Sequence, residues 1–406
     1  MEIMRMEALK PGSRLARPVF TAEGALLFSP GETLDKAKLA VLKQHGIRSV
    51  AVIAANAEAG GGARPSDVML TLRETEAARF CRNDLSVPQI KIIFDRAIER
   101  QSRLLLSKAG KIRQARAEAP AYRTERPPKV SIHSLLEAGH RIGTPPTVFH
   151  RLVEMIDDPD VTADALSTVI ASDTALTARL LRLVNSPFYG LDYKIDNISR
   201  AVVIVGTRQL VLLAMGAILV TRFKGIPVNL VNMRSFWSHS LSCGAAARIL
   251  ARHTGTPQPE SYFVAGLLHD VARLLIYTSL PKHALYILTE ARRRQESVTV
   301  LEKEVLGFSH DELGEKLIQT WACPPELALR VGRHHLPLTE KDSAEELLLP
   351  AANMLSQALG HGASGESVIP ALPAWVWERL DLSPDALPGQ CERLDETMRS
   401  LRSFFE

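Results

Sequence analysis

Residues Ala265-Gly266-Leu267-Leu268-His269-Asp270 form an apolar run of helical character that ends in an adjacent histidine and aspartate. On a helix, such a pair offers an imidazole nitrogen and a carboxylate to the same cavity. That combination suits a divalent metal ion, and the carboxylate can bridge two of them. Further histidines lie before the stretch at His239 and after it at His310 and His334-His335. The sequence therefore places a candidate histidine–aspartate site in a helical setting.

The chain around this stretch is predicted to be mostly α-helical. Beyond Ile53 there is no run of β-branched residues with strand periodicity, and helical patterns alternate with short turns. The first residues read as a small α+β unit, with β-compatible stretches near Val19, Leu26 and Val50. We predict this unit at 1–56, a linker with a basic amphipathic helix at 57–132, a helical domain at 136–340 and a C-terminal helical extension at 341–406.

Composition excludes several classes of protein. The 406 residues contain 46% hydrophobic and 23% charged residues, which is typical of folded globular domains. The four cysteines form no C-x-x-C pair, which argues against a zinc ribbon and fits a reducing compartment. The longest uncharged apolar run, 209–221, is shorter than the ~20 residues of a membrane span and reads as a buried helix. The N-terminus shows no apolar signal-peptide region. We expect a cytoplasmic protein without a membrane segment.

Positive charge is concentrated in one part of the chain. The formal net charge is +4, but residues 91–130 alone hold eleven Lys and Arg against four Asp and Glu. Such a stripe can attract phosphate or an acidic partner, and it is also typical of a solvated helix face. Aromatic residues make up only 5% and no recognition-helix motif is present, so nucleic-acid binding is not expected.

Several motifs together resemble the HDOD family, a degenerate branch of the HD superfamily of metal-dependent phosphohydrolases. The resemblance covers 136–406, and the segment at 1–56 more distantly resembles the unit that precedes HD-GYP phosphodiesterases. The motifs that carry the HDOD resemblance are Ser172-Asp173-Thr174-Ala175-Leu176-Thr177, Asn185-Ser186-Pro187-Phe188-Tyr189-Gly190, Ile198-Ser199-Arg200-Ala201, Phe236-Trp237-Ser238-His239-Ser240, Gly266-Leu267-Leu268-His269-Asp270, Glu304 with Gly307 and His310, Trp321 with Pro324, and Ala352-Asn353.

The resemblance implies a regulatory role more than catalysis. In the hydrolytic relatives a Gly-Lys step follows the His-Asp pair, and here those places hold Ala272 and Arg273. The position of a late metal-binding aspartate is Asn353, and a neutral amide binds such cations less well than a carboxylate. The Gly-Tyr-Pro signature expected after His335 is absent from the sequence. We therefore expect a non-catalytic bacterial signal-transduction module that acts as a scaffold or sensor, with no catalytic residue and no required cofactor.

Two interpretations of the histidines remain open. His269 and Asp270 could hydrogen-bond one another inside the bundle, as a neutral histidine oriented by a carboxylate. Alternatively, a residual divalent metal could bind, with His239, His269, Asp270 and His310 as the candidate ligands. The runner-up function is a metal-dependent phosphodiesterase acting on a cyclic dinucleotide or nucleotide, in which these four residues hold metal and Arg273 contacts phosphate.

The remaining expectations concern packing and partners. Asn185 is expected to cap backbone groups in a turn between helices, and Trp237 and Trp321 to anchor the core. Four arginines precede the His-Asp pair in the sequence, namely Arg179, Arg182, Arg200 and Arg208. They could line a groove that binds phosphate, or they could lie at the solvated ends of helices. The partner is expected to be a signalling protein or a nucleotide second messenger, and homodimerisation is compatible with the sequence.

Overall fold

The computed structural model describes most of the chain. The described residues are 2–6, 9–13, 15, 19–20, 26–28, 32–44, 47, 49–52, 65–107, 126–143, 146–156, 158, 160–186, 189–220, 223, 226–227 and 230–401. The chain divides into two compact units, one formed by 1–74 with 100–121 and the other by 75–99 with 122–406. The domain bounds given by the sequence pattern stay a prediction.

The first unit is small and mixes strands with one helix. Strand β1 (Glu2–Arg5) pairs antiparallel with β4 (Ser49–Val52), and β2 (Val19–Phe20) pairs antiparallel with β3 (Leu26–Phe28). The helix is α1 (Lys36–Gln44). The sequence pattern missed β1, because only Ile3 of its four residues strongly favours a strand, and the strand is held by pairing with β4.

Every element that the structure describes after β4 is a helix, which confirms the prediction of a mostly α-helical chain. These helices are α2 (Pro65–Arg79), α3 (Pro88–Ser107), α4 (Ile132–Gly143), α5 (Thr147–Ile156), α6 (Ala163–Ala171), α7 (Thr174–Val184), α8 (Ile198–Val205), α9 (Thr207–Val220), α10 (Met233–His253), α11 (Pro259–Leu268), α12 (Val271–Ser279), α13 (Pro281–Arg294), α14 (Val298–Leu306), α15 (His310–Thr320), α16 (Pro325–Arg333), α17 (Ala344–Leu359), α18 (Ala374–Arg379) and α19 (Leu387–Ser400).

The basic stretch at 91–130 is only partly described. Within it and just before it, α3 buries Ile90, Phe94 and Ile98 on one face, as the sequence periodicity predicts. Positions 108–125, with most of the remaining basic residues, lie outside the described residues.

Helices α10 and α11 cross at a pair of glycines. A Cβ atom on Gly266 would lie 2.5 Å from the Cα of Gly244, and one on Gly244 would lie 2.5 Å from the carbonyl oxygen of Phe263. Only glycine fits at such a distance, because ordinary Cβ contacts begin near 3.4 Å. The close approach brings His239 on α10 next to His269, which directly follows α11.

The apolar run at 209–221 forms most of α9, and this helix is buried from Leu210 to Val220, as predicted. Trp237 and Trp321 are also buried, which confirms them as core residues. Among the described residues, no helix by itself has the length and apolar composition to cross a membrane, although α8 with α9, and α11–α12 with α13, pass that test as sharply bent pairs.

Candidate metal centre

Six side chains from four parts of the helical unit converge on one buried point. The four sequence candidates, His239, His269, Asp270 and His310, are all brought together, and His334 and His335 join them. They fall into two groups that share Asp270, and within each group the potential ligand atoms lie within 4.8 Å of one another. We call His239, His269 and Asp270 the His239 half, and Asp270, His310, His334 and His335 the His310 half.

Asp270 lies between the two halves and turns one oxygen to each. Its Oδ2 atom lies 3.2 Å from Nε2 of His269 and 3.6 Å from Nε2 of His239. Its Oδ1 atom lies 3.0 Å from Nε2 of His310 and 3.8 Å from Nε2 of His334. The carboxylate therefore has the position of a bridging ligand.

The outer nitrogen of each of four histidines is bound to an acceptor. The Nδ1 contacts are His269 to the Gly266 carbonyl (2.7 Å), His334 to the Val331 carbonyl (2.6 Å), His310 to the Glu302 carboxylate (2.6 Å) and His239 to the Ser356 hydroxyl (3.2 Å). Carbonyl and carboxylate oxygens only accept, and the Ser356 hydroxyl donates its own proton to the His239 carbonyl. Each Nδ1 therefore carries a proton, and in the neutral ring each Nε2 presents a lone pair to the cluster.

These inward nitrogens face one another in pairs. Nε2 of His239 is 3.2 Å from Nε2 of His269, and Nε2 of His310 is 3.3 Å from Nε2 of His334. Two facing lone pairs repel, so a cation is needed between them, either a proton or a metal ion. In addition, Nε2 of His335 is buried and has no hydrogen-bond partner among the described residues. The donor set thus fits a divalent metal that prefers imidazole and carboxylate ligands.

The pKa values show the same demand for positive charge. Burial and Arg273 lower the pKa of His310, but Glu302 and Asp270 outweigh both and raise it to about 9. Burial also opposes protonation of His269, yet the charge of Asp270 raises its pKa well above the usual range. Burial holds the pKa of His239 down at about 3 and lowers that of His334. In each facing pair, the pKa of one histidine is therefore raised and the pKa of the other is lowered.

His269 and Asp270 do lie together inside the bundle, with Nε2 of His269 3.2 Å from Oδ2 of Asp270. The carboxylate of Asp270 also lies within 4 Å of Nε2 of His239, His310 and His334. Burial raises the pKa of Asp270, but Arg273 and His269 lower it well below the ordinary value. The pair is the centre of a larger ionic cluster.

Arg273, the residue at the phosphate-binding place of the hydrolases, is turned inward. It is fully buried, with Nε 3.2 Å from Oδ1 of Asp270 and Nη2 3.6 Å from Glu366. Its Nη1 donates to the hydroxyl of Ser364 at 3.3 Å. The guanidinium is therefore held by groups of the protein itself.

The cluster is closed to solvent. His239, His269 and His310 are 0% exposed, Asp270 is 1% exposed and His334 is 3% exposed. The segment after α17 helps to close it, because Ser364 and Glu366 contact Arg273 and the backbone at Gly362 lies against α10, where a Cβ would meet the His239 nitrogen at 2.5 Å.

Asn353, which stands where the hydrolases have an aspartate, lies on α17. Its side-chain oxygen accepts a hydrogen bond from Gln357 at 3.0 Å. Ser356, one turn further along α17, is the residue that holds His239. This helix therefore contributes the neutral hydroxyl of Ser356 to the His239 half.

The other sequence candidates lie outside the cluster. The side chain of Asn185 binds the Leu181 carbonyl and both backbone groups of Ile195, which confirms its structural role in a turn. Two of the four arginines have acidic partners: Arg200 pairs with Asp196 and Arg208 with Glu326.

Two buried carboxylates beside the cluster escaped the sequence analysis. Glu302 holds His310, and Glu366 accepts from the backbone nitrogen of Val298 at 3.0 Å while facing Arg273. Glu302 lies eight positions before His310, and Gly307 ends the helix between them. This spacing is the sequence signal that could have revealed Glu302. Glu366 lies in an irregular segment that gives no such signal.

Comparison with known proteins identifies proteins with a similar sequence or fold. The family model of the HDOD domain matches residues 142–337. A candidate phosphohydrolase from Shewanella amazonensis SB2B has a similar fold, with a TM-score of 0.53 at 23% identity over 68% of this chain and all of that chain. An HDOD domain protein of unknown function from Geobacter sulfurreducens gives 0.52 at 22% identity, over 68% of this chain and 99% of that one. At these identities the likeness shows the fold alone.

A candidate signal transduction protein from Marinobacter aquaeolei VT8 has a TM-score of 0.53 at 20% identity, over 67% of this chain and 64% of that one. An uncharacterized protein of Treponema pallidum (strain Nichols) is 29% identical over 275 residues, which is 66% of this chain and 50% of the relative. The chain thus spans about half the length of that curated relative.

Proposed function

We propose that this chain is a regulatory module of bacterial signal transduction that acts by binding. The match of the HDOD family model to residues 142–337 supports this role. We further propose that the histidine–aspartate cluster holds a divalent metal ion without hydrolysing a substrate. The observation that carries the metal assignment is the inward direction of four Nε2 lone pairs around one carboxylate. Their outer nitrogens are all bound, so the rings cannot turn away without losing those hydrogen bonds.

The ligands would be the members of the two halves, His239, His269, Asp270, His310 and the pair His334-His335. A bound divalent ion would supply the positive charge that the facing nitrogens require. Since these ligands come from α10, α15 and the ends of α11 and α16, their side chains would tie the helical unit together.

Three features support binding over catalysis. Hydrolysis requires a phosphoryl group beside the metal, yet the ligand atoms are enclosed by the protein. The charge of Arg273 is engaged by Asp270 and Glu366. The place of the late aspartate is taken by Asn353, whose amide oxygen is bound to Gln357.

The second candidate function is a metal-dependent phosphodiesterase. The observation that favours it is the two-sided cluster, since a carboxylate shared between two sets of histidines is the arrangement that a two-metal hydrolase needs. On this alternative the substrate would be a cyclic dinucleotide or nucleotide, and the enclosing segment after α17 would have to move.

Elemental analysis of protein purified without chelator tests the proposal. We expect metal in the wild type and in His150→Ala, which removes an exposed histidine on α5, and its loss in folded Asp270→Ala, which removes the ligand shared by both halves. The same preparations are incubated with bis(p-nitrophenyl) phosphate and with a cyclic dinucleotide. A folded wild-type protein without metal would refute the metal assignment, and hydrolysis that is lost in Asp270→Ala would refute the non-catalytic role.

The output is proposed to pass to a signalling protein, with a nucleotide second messenger as the alternative input. Calorimetric titration of the wild type with a cyclic dinucleotide separates the two. Saturable binding of the nucleotide would favour a sensor, and its absence would favour a scaffold that is regulated through protein contacts.

A further inference from the structure

We infer that the two halves of the cluster are not equivalent: one divalent ion binds in the His310 half, and Glu302 is the positioning residue that makes this half the tighter one. The inference rests on the proposed metal binding, and it specifies where the ion binds, how many ions bind and which residue makes the binding tight. A single ion would also explain physically why the proposed module carries out no two-metal hydrolysis.

The first argument is the number of ligands. The His310 half offers three imidazoles and one carboxylate oxygen, whereas the His239 half offers two imidazoles and one carboxylate oxygen. Four protein ligands complete the tetrahedral set that an ion such as Zn²⁺ or Co²⁺ adopts in closed sites. Three ligands leave one position unfilled in a place that the structure encloses.

The second argument is the outer partner of each histidine. Glu302 is a buried carboxylate whose Oε2 accepts from Nδ1 of His310 at 2.6 Å and from its backbone nitrogen at 2.9 Å. The corresponding partners of His239 and His269 are a hydroxyl and a carbonyl, both neutral. A carboxylate on the outer nitrogen makes the ring a stronger donor to a metal, and loss of such a partner commonly lowers affinity roughly 10–100-fold.

The third argument is the local charge. Arg273 lies against Oδ1 of Asp270, the oxygen turned to the His310 half, but Glu366 faces this arginine at 3.6 Å and offsets its charge, and Glu302 adds a negative charge at His310. At the His239 half, α17 brings the neutral hydroxyl of Ser356 to His239.

The position of Glu302 is fixed by the backbone. Helix α14 ends at Gly307, which adopts a φ of 91°, and the chain turns into α15 at His310. The turn brings the carboxylate of Glu302 to the first residue of α15, where it accepts both the backbone and the ring N–H of His310. His310 is thereby held in one rotamer with Nε2 towards Asp270.

Titration of metal-free protein with Co²⁺ tests the inference, because the visible absorption of Co²⁺ reports its ligands directly. We expect one tight equivalent in the wild type, kept in His239→Ala and lost in His310→Ala. Glu302→Gln keeps an acceptor oxygen but removes the charge, and we expect roughly 10–100-fold weaker binding with a shifted spectrum. The matched control is Glu304→Gln, two positions along the same helix, where the exposed glutamate pairs with Arg294.

The outcomes separate the inference from the function on which it rests. Co²⁺ that is lost in His239→Ala and kept in His310→Ala would overturn it, and so would two equally tight equivalents. Equal affinities of folded Glu302→Gln and Glu304→Gln would remove Glu302 from its role. A folded wild type that binds no Co²⁺ would instead refute the proposed function. Circular dichroism and thermal melting establish folding of each variant.

Discussion

Replacement of Gly266 by alanine tests how closely α10 and α11 must approach to build the cluster. The added Cβ would lie 2.5 Å from both Cα and nitrogen of Gly244 and 2.7 Å from the carbonyl carbon of Cys243. These are backbone atoms, so no rotamer change relieves the clash. Because ordinary contact begins near 3.4 Å, the two helices must separate by about 0.9 Å.

Two effects of the separation are expected. Overpacking of a core costs roughly 1–3 kcal/mol of unfolding free energy, and a clash between two backbones belongs at the upper end. The separation also moves His239 away from His269, and metal sites require their ligands to stay within roughly 0.5 Å of the productive geometry. Gly266→Ala should therefore lose stability and disturb the His239 half more than the His310 half, so that the single Co²⁺ ion of the His310 half is kept.

Urea unfolding and Co²⁺ titration measure these effects. Gly389→Ala is the matched control, since its Cβ would meet no atom within 4 Å and the residue lies in α19, where alanine should be neutral or stabilising by up to about 1 kcal/mol. A Gly266→Ala protein with an unchanged urea midpoint and an unchanged slope would refute the close packing on which the site geometry depends.

Three further predictions concern other parts of the helical unit. Asn185→Ala removes three hydrogen bonds of 2.6–2.8 Å and should lower the unfolding free energy, measured by urea unfolding, by about 2–3 kcal/mol. A loss below about 0.5 kcal/mol would contradict the role of Asn185 in the turn. Of the four cysteines only Cys81 is exposed, and burial raises the pKa of Cys323 and of Cys391 to about 12. One thiol per chain should therefore react rapidly with Ellman's reagent in the folded protein and four after unfolding, and a second rapidly reacting thiol would contradict the packing. In metal-free protein the pKa of His310 is raised from 6.5 to about 9, so its contribution to the unfolding free energy, up to about 3 kcal/mol, is complete below pH 6.5 and is lost as the pH rises through 9. If the unfolding free energies of wild type and His310→Gln depended on pH in the same way, this prediction would be wrong.

Much of the helical unit could be predicted because its signals are local. The apolar run of α9, the glycine that ends α14 and the adjacent histidine and aspartate after α11 are each legible within one element. The four metal candidates were found in the same way, since a polar residue in an apolar helical context indicates a buried site.

The non-local part of the site could not be predicted in the same way. Glu302 and Glu366 act through chain reversals, and nothing in their own stretches shows that they face His310 and Arg273. The inward direction of Arg273 depends on the segment after α17, which is distant in sequence. The pair His334-His335 was noticed as a pattern, but its place in the His310 half follows only from the packing of α15 against α16.

The order in which the cluster can assemble follows from where its ligands lie along the chain. Only His269-Asp270 and His334-His335 are neighbours in sequence, so an unfolded chain presents isolated two-residue chelates and no complete ligand set. Contacts over such separations form after local helices have formed and docked. On the proposed function, the ion would therefore bind to a domain that is already folded, and the metal supply would change the amide hydrogen exchange of α15 and α16 rather than the yield of folded protein.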